Sequence, residues 1–60
     1  MSALGDRIRE TRLARGLTQP ETATQIGVSL RAVQDWEQGR RDPERGPAMI
    51  RGAIERWLRK

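Results

Sequence analysis

The chain has 60 residues, which allows one small domain whose hydrophobic core is so limited that we expect a dimer to add stability. It contains no cysteine and no histidine, which excludes disulfides, thiolate zinc sites and any nucleophile activated by histidine. Its net charge is +4, with eleven arginines and one lysine, and the excess of positive charge is larger in residues 31–60, where we expect an anionic partner.

Four helices are predicted, and no segment alternates apolar and polar residues as a half-buried strand does. The first helix runs from about residue 4 to residue 15. Leu4 and Ile8 recur on one face of it, and Gly16 follows as a C-cap. The sequence therefore predicts an all-α fold that begins with a short amphipathic helix.

The second helix is predicted over residues 19–26. Thr18 supplies a hydroxyl cap and Glu21 follows three residues later, which is the spacing of a capping box. Pro20 falls in the first turn, where its missing N–H costs nothing. Gly27 ends this helix, so both of its limits are marked by local signals.

The third helix is predicted over residues 30–38, with Ser29 as its cap and Gly39 as its stop. A polar connection rich in turn residues covers residues 40–47. The fourth helix is predicted over residues 47–59 and carries a wide apolar stripe. The stripe consists of Ile50, Ala53, Ile54, Trp57 and Leu58.

The second and third helices are separated only by Gly27-Val28-Ser29. Two helices joined by such a short turn have the geometry of a DNA-binding helix-turn-helix, in which the second helix enters the major groove. Ala23 is small enough for the two helices to approach closely, while Val33 and Trp36 point inward. The rest of the pattern is Gly16-Leu17-Thr18-Gln19, Ile26, Glu37, Gly39, Arg40 and Pro43.

With these motifs the sequence resembles the lambdoid Cro and repressor type of helix-turn-helix, the XRE family, over about residues 4–50. Residues 31–41, followed by Pro43 and Gly46-Pro47-Ala48, are similar to HigA-type antitoxins, and phage and plasmid regulators share much of this pattern. The resemblance implies a repressor-like domain of four to five helices, here four, spanning residues 1–60.

The resemblance also implies an ion pair between Arg12 and Glu37, partly buried, that ties the first helix to the end of the third. Both residues lie beside apolar positions on their own helices, which agrees with burial. A solvated pair is the alternative. A buried pair would orient the recognition helix rather than read DNA.

Phosphate contacts are expected at helix N-termini and in the loop after the third helix. The resemblance implies that Gln19 contacts a phosphate, at a helix start where backbone N–H groups point at the same oxygen. Ser29 is expected to do so at the next helix start. Arg40 and Arg41 would hold the neighbouring phosphates, unless they only form a solvated turn beside the two acids that follow.

Base contacts are expected from Leu30, Arg31, Gln34 and Asp35, the outward residues of the third helix. Arg31 can bind guanine through O6 and N7, Gln34 can address adenine or a phosphate, and Leu30 can contact a thymine methyl. Asp35 either accepts from cytosine N4 or pairs with Arg31 and holds its guanidinium in place. The competing interpretation is that Arg31 and Asp35 form an ordinary surface ion pair that contributes little to stability.

Two positions depart from the family pattern. Thr22 and Thr11 stand where aliphatic residues are usual, so each hydroxyl needs a partner, such as the carbonyl four residues back. This departure lowers the expected stability of the protomer and leaves the fold unchanged.

The stripe of the fourth helix is wider than one small core needs. We expect Ile54, Trp57 and Leu58 to meet their counterparts across a two-fold axis, with Met49 and Ile50 mainly inside the protomer. The alternative is that all of these side chains cover the protomer's own core.

The sequence thus predicts a DNA-binding repressor that acts as a homodimer on an inverted repeat of double-stranded DNA and controls its own operon. The alternative is an antitoxin or interaction module whose main task is to bind a partner protein such as a toxin. We expect no enzyme, cofactor or metal, because the acids are scattered and no nucleophile pair is found. No apolar run approaches a membrane span or a signal peptide, so we expect no membrane partner and a bacterial or phage protein of the cytoplasm.

Overall fold

A computed structural model describes residues 3–60 as an all-α domain, with no strand among these residues. The helices are α1 Ala3–Ala14, α2 Gln19–Ile26, α3 Leu30–Gln38 and α4 Ala48–Arg59. The predicted four-helix fold is confirmed, and each helix begins and ends within one residue of its predicted limits. Residues 1 and 2 of the predicted domain lie outside the described residues.

Local side-chain caps begin α2 and α3, as predicted. Thr18 Oγ1 accepts the Glu21 N–H at 3.2 Å, while the Thr18 N–H donates to Glu21 Oε1 at 2.9 Å, which completes a capping box. The bond from the Thr18 N–H lowers the pKa of the Glu21 carboxyl from its ordinary value. Ser29 Oγ accepts the Ala32 N–H at 3.1 Å. These bonds set the residues at which α2 and α3 start.

The turn between α2 and α3 depends on Gly27, whose φ of 93° lies in the left-handed region. In this conformation the N–H groups of Gly27 and Val28 both reach Ala23 O, at 2.8 and 3.0 Å, and satisfy the end of α2. A side chain at this φ would be strained. The glycine therefore allows α2 and α3 to be separated by only three residues.

The core lies where the four helices meet. Ile8 of α1, Val33 of α3 and Ile54 of α4 have no exposed surface, and Ala23 of α2 is 4% exposed. Burial of these apolar side chains is the main favourable contribution to folding. Because every helix supplies part of this core, the orientation of α3 is set by all of the others.

The structure corrects the predicted role of α4. Ile54 is 0% and Trp57 1% exposed within a single protomer, and Trp57 Nε1 donates a hydrogen bond to Gln25 Oε1 at 2.8 Å. Side chains enclosed in this way cannot contact a second copy, so the predicted two-fold contact through Ile54 and Trp57 is wrong. Leu58 is half-buried against the same core. Met49, predicted to face inward, is instead 83% exposed.

The physical reason for the correction is the size of the domain. A core built from so few residues needs its largest buried side chain, which is that of Trp57. The residues 3–60 form no further α-helix that could fill this space in its place. Ile54 and Trp57 of the α4 stripe are therefore enclosed within the protomer, while Ile50 is only half-buried.

Thr22 is fully buried, and its Oγ1 has no hydrogen-bond partner among the described residues. The expected bond to the carbonyl four residues back does not form there. Thr24 makes a bond of this kind instead, to Pro20 O at 3.1 Å. A buried hydroxyl without a partner costs about 1–3 kcal/mol, so the lower stability of the protomer stays a prediction that this geometry supports.

The C-terminal end of α4 is held by Arg15, the residue that follows α1. Its guanidinium donates to the carbonyls of Trp57 at 2.9 Å, Leu58 at 3.2 Å and Lys60 at 2.7 Å. The same group lies over the Trp57 ring, 4.9 Å from the ring centroid. A cation at this end of a helix satisfies carbonyls that lack intrahelical partners. Arg15 therefore joins the first and last helices.

The connection between α3 and α4 was predicted as an irregular turn, and it contains one 3-10 turn, Pro43–Arg45. Asp42 Oδ1 accepts the Glu44 N–H at 3.0 Å and begins this turn, while Pro43 is buried. The combination of an aspartate cap and a proline in the first position favours helical geometry even over three residues.

Candidate nucleic-acid interface

One face of α3 is turned to solvent. Val33 and Trp36, 0% and 7% exposed, hold the opposite face in the core. Leu30 is 39% exposed, the Arg31 side chain is 76% exposed, and Gln34 is half-buried one turn further along. Three of the four predicted base contacts therefore share the accessible face of one helix, which is the arrangement needed to reach base edges in a major groove.

Asp35, the fourth predicted base contact, lies below this surface and is 7% exposed. Its Oδ1 is 3.5 Å from Arg31 Nε, and its Oδ2 is 3.7 Å from Arg41 Nε. Its carbonyl oxygen accepts the N–H groups of Arg40 at 2.9 Å and Arg41 at 3.3 Å. Since a buried carboxylate is tolerated when it is paired, this geometry favours the interpretation in which Asp35 holds Arg31.

Glu37 is the centre of a second cluster, in which Arg12 forms a two-pronged ion pair with it. Arg12 Nε donates to Oε2 and Nη2 donates to Oε1, both at 2.8 Å, and the two side chains are only 13% and 5% exposed. The hydrogen bond to Glu37 raises the pKa of Arg12. Arg12 Nη1 also donates to Leu17 O at 3.1 Å. Of the two alternatives, a buried pair and a solvated pair, the structure has the buried pair, and this pair connects α1 to the end of α3.

Gln19 brings α2 into the same cluster. It is half-buried at the first residue of α2, and its Nε2 donates to Glu37 Oε1 at 3.3 Å. An amide nitrogen carries two hydrogens, so one is available for a phosphate oxygen. Ser29 is exposed; its Oγ already accepts the Ala32 N–H, and its hydroxyl hydrogen can still donate outward.

The remaining predicted phosphate contacts follow α3 directly. Arg40 and Arg41 are both exposed, and the Arg41 side chain keeps 77% of its surface in solvent although its Nε faces Asp35. Arg45 is also exposed in the 3-10 turn. Positive charge therefore continues from the open face of α3 into the loop beyond it, and such a surface attracts polyanions.

A family model described as a helix-turn-helix domain matches residues 3–59. The match takes in all four helices and every residue of the surface just described. The chain belongs to the helix-turn-helix domain family. Comparisons with curated proteins and with solved structures give no match.

Membership in this family indicates that the helix-turn-helix binds DNA, with α2 and α3 as the two helices of the motif. The family is typically non-enzymatic. Across residues 3–60, no three His, Cys, Asp or Glu side chains are grouped so that they could hold a metal ion. Within the same range, no helix has the length and apolar character needed to cross a bilayer.

Apart from the pair of Arg12 and Glu37, which the resemblance implied, sequence reasoning missed the contacts of this domain that join separate segments. The i,i+4 spacing indicated the approach of Arg31 to Asp35, but Arg41 follows a turn and carries no periodic signal. The bond from Trp57 to Gln25 and the three carbonyl bonds of Arg15 likewise have no local signature. Each depends on how the helices cross.

Proposed function

We propose that this helix-turn-helix protein is a transcriptional repressor that binds an inverted-repeat operator as a homodimer and controls its own operon. The observation that carries the proposal is the solvent-facing set of Leu30, Arg31 and Gln34 on a helix whose other face is locked into the core. A protein-binding module does not need hydrogen-bonding groups suited to base edges beside arginines suited to phosphates. The resemblance to XRE repressors and HigA-type antitoxins supports the same assignment.

Within this proposal the predicted contacts divide into two groups. Arg31, Gln34 and Leu30 read bases, since they lie on the open face of α3. Gln19, Ser29, Arg40 and Arg41 bind phosphates and so set the register of the protein on the duplex. A dimer that occupies its operator keeps other proteins from that DNA, which is how binding becomes repression.

Selection from randomised duplexes is expected to enrich an inverted repeat whose half-sites are centred about 34 Å apart. Arg31→Ala should lose about 1–3 kcal/mol of binding per half-site and relax the preference at one base pair, because a bidentate guanine contact disappears. With about four phosphate contacts per protomer, the parent dimer should show a log–log salt slope on the order of −7.

Arg40→Ala is the matched control, because Arg40 is an exposed arginine of the same surface whose backbone N–H, not its side chain, contacts Asp35. It should weaken all duplexes alike and make the salt slope shallower, since phosphates carry no sequence information. A selected pool without a shared motif, or a slope near zero, would contradict the proposal. Absence of DNA binding together with tight binding to a co-encoded small protein would favour the antitoxin alternative.

The dimer surface that we propose lies at the N-terminal end of α4. Met49 is 83% exposed there, and Ile50 lines a groove between α3, the 3-10 turn and α4. The apolar residues of this groove also include Ala32, Trp36, Pro43 and Pro47, and its rim toward the loop after α3 carries the charged residues Arg40, Arg41, Asp42 and Arg45. Because the groove adjoins the C-terminal end of α3, a two-fold axis beside it brings the ends of two recognition helices together, as an inverted repeat requires.

Met49→Asp is therefore expected to shift the protein toward monomer in sedimentation equilibrium, because a charge would be buried between the two copies. Leu13→Asp is the matched control, since Leu13 is 57% exposed on α1, away from this groove. It should leave the association unchanged. Equal dimerisation of Met49→Asp and the parent would place the interface elsewhere.

A further inference from the structure

Asp35 is shared by two arginines that have different tasks in the proposed function. Each carboxylate oxygen faces one Nε, that of Arg31 at 3.5 Å and that of Arg41 at 3.7 Å. The carboxylate itself is nearly enclosed, while the two arginine side chains are 76% and 77% exposed. The nearly enclosed carboxylate of Asp35 thus lies beside the Nε atoms of two arginines whose side chains are mostly exposed to solvent.

The contact through Nε leaves the terminal nitrogens of each guanidinium for other partners. A guanidinium has five N–H donors, of which Nε carries one. Nη1 and Nη2 of Arg31 can therefore bind guanine O6 and N7 while Nε stays beside Asp35. The same division lets Arg41 bind a phosphate without leaving the carboxylate.

We propose that Asp35 is a positioning residue for DNA specificity, which orients Arg31 toward its base and Arg41 toward its phosphate from a single buried carboxylate. This inference rests on the proposed function. It differs from a direct contact of Asp35 with cytosine, because both carboxylate oxygens are directed at the arginines of its own protomer.

The contrast with Glu37 explains why Asp35 acts on binding more than on folding. Glu37 and its partner Arg12 are both nearly enclosed, so their pair connects parts of the fold. The partners of Asp35 are exposed and lie on α3 itself and in the loop directly after it, so these ion pairs connect no second helix to α3. A free arginine side chain has many rotamers, and restricting them before DNA arrives reduces the entropy lost on binding.

Asp35→Asn tests the inference, with Glu44→Gln as a control of equal charge change at an exposed residue beside the same loop. Both variants raise the net charge by one, which by itself tightens binding to every duplex. We expect Asp35→Asn to reduce the ratio of operator to random-duplex affinity by about three- to tenfold per half-site, the cost of ordering one side chain. Glu44→Gln should leave this ratio unchanged.

A double variant separates positioning from other roles. Arg31→Ala with Asp35→Asn should lose no more preference at the Arg31 base pair than Arg31→Ala alone, because the carboxylate acts there through that arginine. Circular dichroism establishes whether each variant is folded. If Asp35→Asn does not fold, Asp35→Ser, which also removes the carboxylate and has a shorter side chain, is used for the same measurement.

The outcomes distinguish this inference from the proposed function. If the parent selects no motif, both fail. If the parent selects a motif and Asp35→Asn keeps the full base preference, only the positioning role is overturned. A changed preference at a different base pair, independent of Arg31, would also overturn it, because Asp35 would then read DNA directly.

Discussion

Trp57→Ala is expected to leave the domain largely unfolded at room temperature. Trp57 is 1% exposed, donates to Gln25 Oε1 at 2.8 Å and supports the Arg15 guanidinium that satisfies the end of α4. Replacing a buried tryptophan by alanine typically costs about 3–5 kcal/mol. At about 0.05–0.15 kcal/mol per residue, the whole stability of a chain of this length is of the same size.

Urea denaturation followed by circular dichroism measures this loss. Glu55→Ala on the same helix is the control, because Glu55 is exposed and a surface change of this kind alters stability by less than about 0.5 kcal/mol. A Trp57→Ala protein that keeps the parent's unfolding midpoint but sediments as a monomer would contradict this expectation. It would show that Trp57 contributes to the dimer interface, as the sequence predicted, and not to the core of the protomer.

The second large effect is expected from the ion pair of Arg12 and Glu37. Either Arg12→Met or Glu37→Leu should destabilise the domain by about 3 kcal/mol, because each leaves an almost enclosed charge without its partner. Loss of Glu37 also removes the acceptor of Gln19 Nε2, so the start of α2 loses its connection to α3. Thermal melts of the two single variants and of the double variant measure the coupling.

The double variant should lose clearly less stability than the sum of the two single variants, since it leaves no unpaired charge. Arg9→Met is the control for removal of an arginine from α1, because Arg9 is exposed and should change stability by less than about 0.5 kcal/mol. Small and additive losses would mean that the pair is effectively solvated.

Much of the candidate surface was predictable because its signals are local. The spacing of Val33 and Trp36 identified the inward face of α3, and this left Leu30, Arg31, Gln34 and Asp35 as the predicted outward residues, of which only Asp35 is buried. The burial of Asp35 was not predictable. Asp35 is 7% exposed and lies beside Arg41 from the loop after α3, a contact for which neither helix periodicity nor charge spacing gives a signal.

The sequence by itself determined where the helices begin and end. The caps of Thr18 and Ser29 and the left-handed Gly27 act within three or four residues, so they are encoded by the order of neighbouring residues. Only the tertiary structure decided which apolar side chains of α4 are enclosed and which stay exposed. Trp57 and Met49 are both apolar residues of the amphipathic helix α4, but their environments depend on how α4 crosses α1 and α2, and that crossing is set by packing of the whole core.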